Sequence, residues 1–151
     1  MIDEERVAAL EEIRALKFLY CHALDAKDWK RFATIFVRDG SADMREAGEP
    51  GQPGMILIEG REAMMDYVQN AVGHLKTSHH VFAPLIAFDG EDDAHGVWQM
   101  EDRLFERQDG GWKLALHGLG HYHETYVRRN GEWKIRHVKL TREYLSYGVA
   151  I

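Results

Sequence analysis

From Thr77 to Tyr144 the chain reads as four long extended segments cut by tight-turn signals, and no other stretch restricts the fold so sharply. Residues 77–88, 94–106, 112–128 and 133–144 are rich in alternating, β-branched or aromatic side chains. Between them stand Glu91-Asp92-Asp93, Asp109-Gly110-Gly111 and Asn130-Gly131. Asp-Gly and Asn-Gly pairs accept the positive φ angles that short hairpin turns demand. A meander of this kind is largely antiparallel, and its apolar face needs a cover.

The first half of the chain supplies that cover. Ile13, Leu16, Tyr20, Ala23 and Leu24 recur at helical spacing, while Glu4, Glu5, Glu11, Glu12, Arg14 and Lys17 take mostly other positions, so residues 3–24 read as an amphipathic helix. Asp28 is placed to cap a second helix carrying Trp29, Phe32, Ala33 and Phe36. Asp39-Gly40 reads as a turn, and residues 46–54, with three glycines and two prolines, as a loop long enough to act as a lid. Met55 to Ile58 suggests a short strand, and Arg61 to Val72 a third helix with Met64, Met65, Val68 and Val72 toward the core. Helices first and strands after is the α+β pattern, in which sheet and helices can enclose a cavity.

At 151 residues, with no linker-like division and no internal repeat, a single domain spanning 1–151 is expected. A net charge of −6 disfavours nucleic acid as a partner, because phosphate binding depends on clustered Lys and Arg. The acidic start, Asp3-Glu4-Glu5, is unlike an export signal, and no apolar run approaches the roughly 20 residues that span a bilayer. Cys21 is the only cysteine and fits a reducing compartment, so a cytoplasmic protein with no membrane partner is expected.

The chemistry gathers at Tyr20-Cys21-His22-Ala23-Leu24-Asp25 and Thr77-Ser78-His79-His80. A phenol, a carboxylate and an imidazole are the side chains most used to move protons near neutral pH. Tyr20 and Asp25 are five residues apart, roughly 140° on an ideal helix, so spacing alone does not bring them together. Strict alternation along residues 77–88 groups His79 with Val81, Ala83, Leu85 and Ala87, a face of smaller side chains with room for a ligand. His80, Phe82, Pro84, Ile86 and Phe88 form a bulkier face suited to packing or a subunit contact. On the next strand Trp98, Met100, Asp102 and Leu104 share a face, so Asp102 needs a partner, either among Arg103's neighbours or in water at a twisted strand end. His117, His121 and His123 share a face without a recognisable further ligand, so no metal is expected. Opposite them Gly118, Gly120, Tyr122 and Glu124 read as a pocket wall, with the glycines leaving space. There is no Gly-x-Ser-x-Gly elbow and no phosphate loop, so general acid-base work is left.

Tyr20-x-x-x-Leu24-Asp25-x-Lys27-x-Trp29, Thr77-x-His79, Gly96-x-Trp98-x-x-Glu101-Asp102, Tyr122-x-Glu124-x-Tyr126 and Gly131-x-Trp133-Lys134-Ile135 occur in this order across nearly the whole chain. The set resembles the SnoaL-like branch of the nuclear-transport-factor-like superfamily, with scytalone dehydratases, bile-acid 7-alpha-dehydratases and hexachlorocyclohexane dehydrochlorinases as the nearest likenesses. The resemblance implies a cone-shaped α+β barrel, a curved, mostly antiparallel sheet whose three helices from the N-terminal half cover a deep pocket. It also implies no cofactor or metal, and a homo-oligomer, trimer or dimer. It places an Asp-His dyad on Asp25 and His79 and a participating phenol on Tyr20, with Trp98, Met100, Asp102 and Tyr122 as substrate contacts. Asp25 and one His79 ring nitrogen are then expected about 2.6–3.2 Å apart. The function expected is a cofactor-independent lyase, dehydratase-like, acting on a small alicyclic, polyketide-like or steroid-like compound. An isomerase or cyclase, or a non-catalytic binding or accessory subunit, uses the same fold.

Overall fold

Asp3 opens the first helix by accepting the Arg6 backbone N–H at 3.2 Å, an ordinary N-cap. The computed structural model describes residues 3–51 and 56–148. Helix α1 runs Glu4–Ala26 and buries Ile13, Tyr20, Ala23 and Leu24. Lys17 is buried with them at 0% exposure, because it lies four residues after Ile13 and three before Tyr20, on the inward stripe. Lys27 ends the helix in the left-handed region at φ 58°, its N–H reaching Ala23 and Leu24 carbonyls. Asp28 then caps the short α2, Trp29–Ala33, by accepting from the Arg31 N–H.

The chain next departs from the order read in the sequence. Phe36 opens a strand, β1 (Phe36–Glu46), rather than closing the second helix. Asp39-Gly40 is not a turn: the β1–β6 register shifts between Phe36 and Ser41, a bulge inside the strand. A Cβ on Gly40 would lie 3.0 Å from the Val37 carbonyl oxygen and 3.2 Å from that of Arg136, so the bulge needs the missing side chain. Strand β2 is Leu57–Glu59 and α3 is Arg61–Val72. Two strands thus precede the third helix. Met55, and Gln52–Gly54 of the expected lid segment, lie outside the described residues.

Strands β3 (Lys76–Phe88), β4 (Asp93–Gln108), β5 (Gly111–Arg129) and β6 (Glu132–Tyr147) form the meander. The sheet order is β2-β1-β6-β5-β4-β3, antiparallel except for the β1–β6 pair. It is curved and open, with β2 and β3 at its edges, as in the cone-shaped α+β fold. Asp109 and Gly110 have φ 48° and 78°, Asn130 and Gly131 φ 53° and 78°, the positive pairs a tight hairpin requires. The helices lie on the inner face, where Trp98, Tyr126, Phe36 and Ile135 are buried. Among the described residues no helix is long and apolar enough to cross a membrane.

Alternation along β3 breaks at Ala83, which has φ 47°. Phe82 pairs with Gln99 and Leu85 with Val97, so Ala83 and Pro84 together oppose Trp98. The faces exchange there. His79 and Val81 point inward, but Ile86 and Phe88 then take over the inner side while Leu85 is 77% exposed. The small-side-chain face expected for residues 79–87 therefore holds only through Val81.

Gly120 sits at another irregularity, between Leu119 and Gly120 in the β5–β6 ladder, where an added Cβ would stand 1.9 Å from the Thr141 carbonyl oxygen. Gly120→Ala is expected to destabilise the protein by about 1–3 kcal/mol through this overpacking. Urea unfolding of the variant against the parent measures it, and equal midpoints would contradict the close approach.

Candidate active site

His79 stands near the start of β3, 8% exposed, with its ring lining a cavity of about 230 Å³. Its Nδ1 lies 2.7 Å from Asp25 Oδ1, within the range the motifs imply. Asp25 belongs to the last turn of α1, which continues past Leu24. The angular offset from Tyr20 persists and has a use. Tyr20 lines the cavity, whereas Asp25 is not among the lining residues and lies behind His79.

The Asp25 carboxylate is fully engaged. Oδ2 accepts the His79 backbone N–H at 2.9 Å, and Oδ1 accepts the Thr77 hydroxyl at 2.9 Å. Burial pushes the Asp25 pKa up, but hydrogen bonds from the His79 ring and backbone and from Thr77 outweigh it and leave the carboxyl below its ordinary value. An ionised Asp25 is an acceptor only, so Nδ1 donates and Nε2 presents its lone pair.

Across the ring, Nε2 is 3.9 Å from Asp102 Oδ2. Asp102 is 3% exposed and neither paired near Arg103 nor wet. Arg142 of β6 grips it at 2.6 and 2.8 Å in a two-pronged ion pair. Gly118 explains how the pair fits, since a Cβ there would meet Arg142 Nη1 at 2.2 Å and Asp102 Oδ1 at 2.6 Å. The space that the two glycines of β5 leave is therefore filled, by this ion pair at Gly118 and by the β6 backbone at Gly120. Arg142 Nε also donates to the Ala47 carbonyl at 3.2 Å, tying β6 to the segment after β1.

Beneath the phenols lies a second buried pair. Lys17 Nζ donates to Glu124 Oε1, and both side chains are 0% exposed. The ammonium sits 3.7 Å from the Tyr20 ring centroid and 3.5 Å from that of Tyr122, over both rings. Burial draws the Lys17 pKa down against the opposing pull of Glu124. Burial, and then the Glu124 charge, drives the Tyr20 phenol well above its ordinary value. Burial raises Tyr122 too. Both phenols are therefore donors near neutral pH and not bases. Cys21 is buried and its thiol is pushed up to about 11, the opposite of an activated nucleophile.

Of the four expected substrate contacts, Asp102 and Tyr122 line the cavity and Trp98 and Met100 do not. Trp98 Nε1 donates to the Tyr126 hydroxyl at 2.8 Å, which donates to Glu124 Oε2 at 2.6 Å, so Trp98 secures the buried pair from behind. The Met100 sulfur, 3.6 Å from Arg142 Nη1, backs the guanidinium. Lys17 and Arg142 were not singled out from the sequence, and Thr77 and Glu124 entered only as a motif residue and as part of the pocket wall, with no role of their own. Lys17 and Arg142 could have been, as charges on inward stripes beside Tyr20 and Leu140. His117, His121 and His123 face away and bind Glu101, Glu143 and Thr141. Among the described residues no group of three His, Cys, Asp or Glu could hold a metal ion.

The SnoaL-like domain profile matches residues 5–139. The chain belongs to this family. Its fold is similar to that of a candidate scytalone dehydratase from Novosphingobium aromaticivorans, with TM-score 0.81 and 20% identity over 99% of this chain and 94% of that one. It is similar also to a hexachlorocyclohexane dehydrochlorinase from Novosphingobium barchaimii, with TM-score 0.78 and 20% identity over 99% and 95% of the two chains. A Mycobacterium tuberculosis protein of unknown function aligns with TM-score 0.72 and 23% identity over 93% and 75%.

Two outcomes follow for this SnoaL-like domain. Lys17→Met strands Glu124 in the core and is expected to cost about 3–5 kcal/mol, whereas Lys17→Met with Glu124→Gln recovers much of it; denaturant unfolding of both variants compares them. Because the Asp25 pKa is depressed in the folded state, its stabilisation is complete above the ordinary carboxylate range and disappears as pH falls through the depressed value. The stability gap between parent and Asp25→Asn should therefore narrow on acidification, read by urea unfolding at a series of pH values.

Proposed function

We propose that this protein is a cofactor-independent lyase that eliminates water, or another small leaving group, from an uncharged ring compound. The observation that carries the reading is the His79 imidazole held at Nδ1 by Asp25, with the ring lining a half-open, mostly apolar cavity. His79 Nε2 takes a proton from the carbon beside the leaving group; the C–H electrons become the new double bond and the leaving group departs with its bonding pair. When hydroxide leaves, the imidazolium returns that proton and water is released. Asp25 holds the tautomer and stabilises the transient imidazolium without touching substrate. Tyr20 donates to the carbonyl or leaving oxygen, with Tyr122 and Asp102 as further contacts.

The cavity restricts the substrate. Its roughly 230 Å³ lies below the range of about 300–1,000 Å³ usual for drug-sized ligands, which favours one or two rings over a steroid skeleton. The charges on or below its wall, Asp102 with Arg142 and Lys17 with Glu124, are already paired, so a carboxylate or phosphate gains no free cation there. In the same reading the chain self-associates through the outer sheet face, where Phe82, Leu119 and Tyr144 are 45%, 38% and 47% exposed.

A ligand retained in the cavity and identified by native mass spectrometry supplies the substrate for the test. His79→Gln is expected to lower turnover about 10²-fold or more, and Asp25→Asn to act similarly because an amide supports neither the tautomer nor the imidazolium. Tyr20→Phe should lose about 10²-fold, the scale of one oxyanion donor. Thermal unfolding controls for folding. Full turnover by folded His79→Gln would remove the elimination mechanism and leave a small-molecule-binding protein.

A further inference from the structure

Two residues of the sequence motifs, Lys27 and Thr77, have no part in the elimination as described, yet they meet directly behind the candidate base. Lys27 Nζ is 2.7 Å from Thr77 Oγ1, and Thr77 Oγ1 is 2.9 Å from Asp25 Oδ1. Thr77 is 7% exposed, so water does not compete for its hydroxyl.

We propose that Lys27 and Thr77 are positioning residues that lock Asp25 as a pure acceptor and so dictate which His79 nitrogen carries the proton. The proposal rests on the reading of His79 as base, and it assigns the job of setting that base to groups that touch neither substrate nor imidazole. An ammonium has donors and no acceptor, so Thr77 Oγ1 must accept from Lys27. The single hydroxyl hydrogen of Thr77 is then left for Asp25. The Asp25 oxygens face three donors, the Thr77 hydroxyl, the His79 backbone N–H and Nδ1. A proton on Asp25 would point at a donor. The order of donation is thus Lys27 to Thr77 to Asp25, with His79 Nδ1 donating from the other side and the Nε2 lone pair left for the cavity.

The backbone reinforces this. Lys27 occupies the left-handed region at φ 58°, where Gly or Asn is the ordinary helix-ending residue. The turn sends its side chain back along the helix end to β3, where Thr77 sits. The charged and titratable groups around Asp25 are few: Cys21 and Lys27 from α1, His79 from β3, and beyond the ring Asp102 with Arg142. Cys21 is neutral near pH 7, its thiol being pushed up to about 11, and Lys27 is the cation that reaches Asp25 through the Thr77 hydroxyl.

The alternative is that Lys27 and Thr77 only staple α1 to β3. Nuclear magnetic resonance of the full chain without ligand separates the two, following the Asp25 side-chain carboxyl carbon against pH and the His79 ring nitrogen shifts at neutral pH. In the parent, Asp25 should titrate below the ordinary carboxylate range and Nε2 should show the shift of an unprotonated ring nitrogen. Thr77→Val and Lys27→Met should move the Asp25 midpoint upward and populate the other His79 tautomer, while Thr77→Ser and Lys27→Arg restore the parent values. Unchanged titration and tautomer in Thr77→Val and Lys27→Met, with only a lower unfolding temperature, would overturn the proposal in favour of the staple. Lys27→Met, at a half-buried site, carries the comparison alone if Thr77→Val does not fold. None of these readouts uses turnover, so a protein that fails as a lyase still decides this question.

Discussion

The contact on which the arrangement depends is the one between the Asp25 carboxylate and the start of β3. It joins the last turn of a 23-residue helix to an edge strand that has a sheet partner on one side only. One carboxylate satisfies a backbone N–H, a hydroxyl and an imidazole at once, so the helix end, the strand and the ring are positioned by the same group. Helix geometry then separates tasks. Tyr20, on the buried stripe, looks into the cavity, and Asp25, well round the helix, stays behind the imidazole.

The cavity floor is polar yet carries little net charge. Two buried ion pairs, Asp102 with Arg142 and Lys17 with Glu124, lie within one small core, and such pairs often contribute less than well-packed apolar residues would. Both are hydrogen-bonded, and among the described residues no buried side-chain polar atom lacks a partner. Their shared effect is rigidity. Glu124 is held by Lys17 and Tyr126, Tyr126 by Trp98, and the phenols of Tyr20 and Tyr122 cover the ammonium. The donors facing a ligand are thereby pre-oriented, the condition under which fixed dipoles stabilise developing charge.

Much of this was legible before any coordinates. The hairpin signals at Asp109-Gly110 and Asn130-Gly131 marked the meander because few residues accept those dihedrals, and α3 was read at its observed bounds because its apolar spacing is strong. Asp25 and His79 were paired by motif order, not by spacing, since a contact between a helix end and a distant strand leaves no periodic trace. β1 was missed because a bulge at Gly40 breaks its alternation and looks like a turn. Trp98 and Met100 share the inward face but do not line the cavity: strand parity tells which face a residue takes, not whether another side chain covers it. Asp102 was recognised as needing a partner, but its partner lies 40 residues on, beyond any local pattern.

The break in β3 at Ala83-Pro84 has consequences beyond the faces it exchanges. β3 is a 13-residue edge strand, long enough for an extended chain to pair along it. Proline supplies no N–H there, and the positive φ of Ala83 bends the backbone out of register, so the outer rim offers only two short, misaligned runs of free peptide groups. The molecule thus carries a built-in guard against runaway sheet growth along this rim.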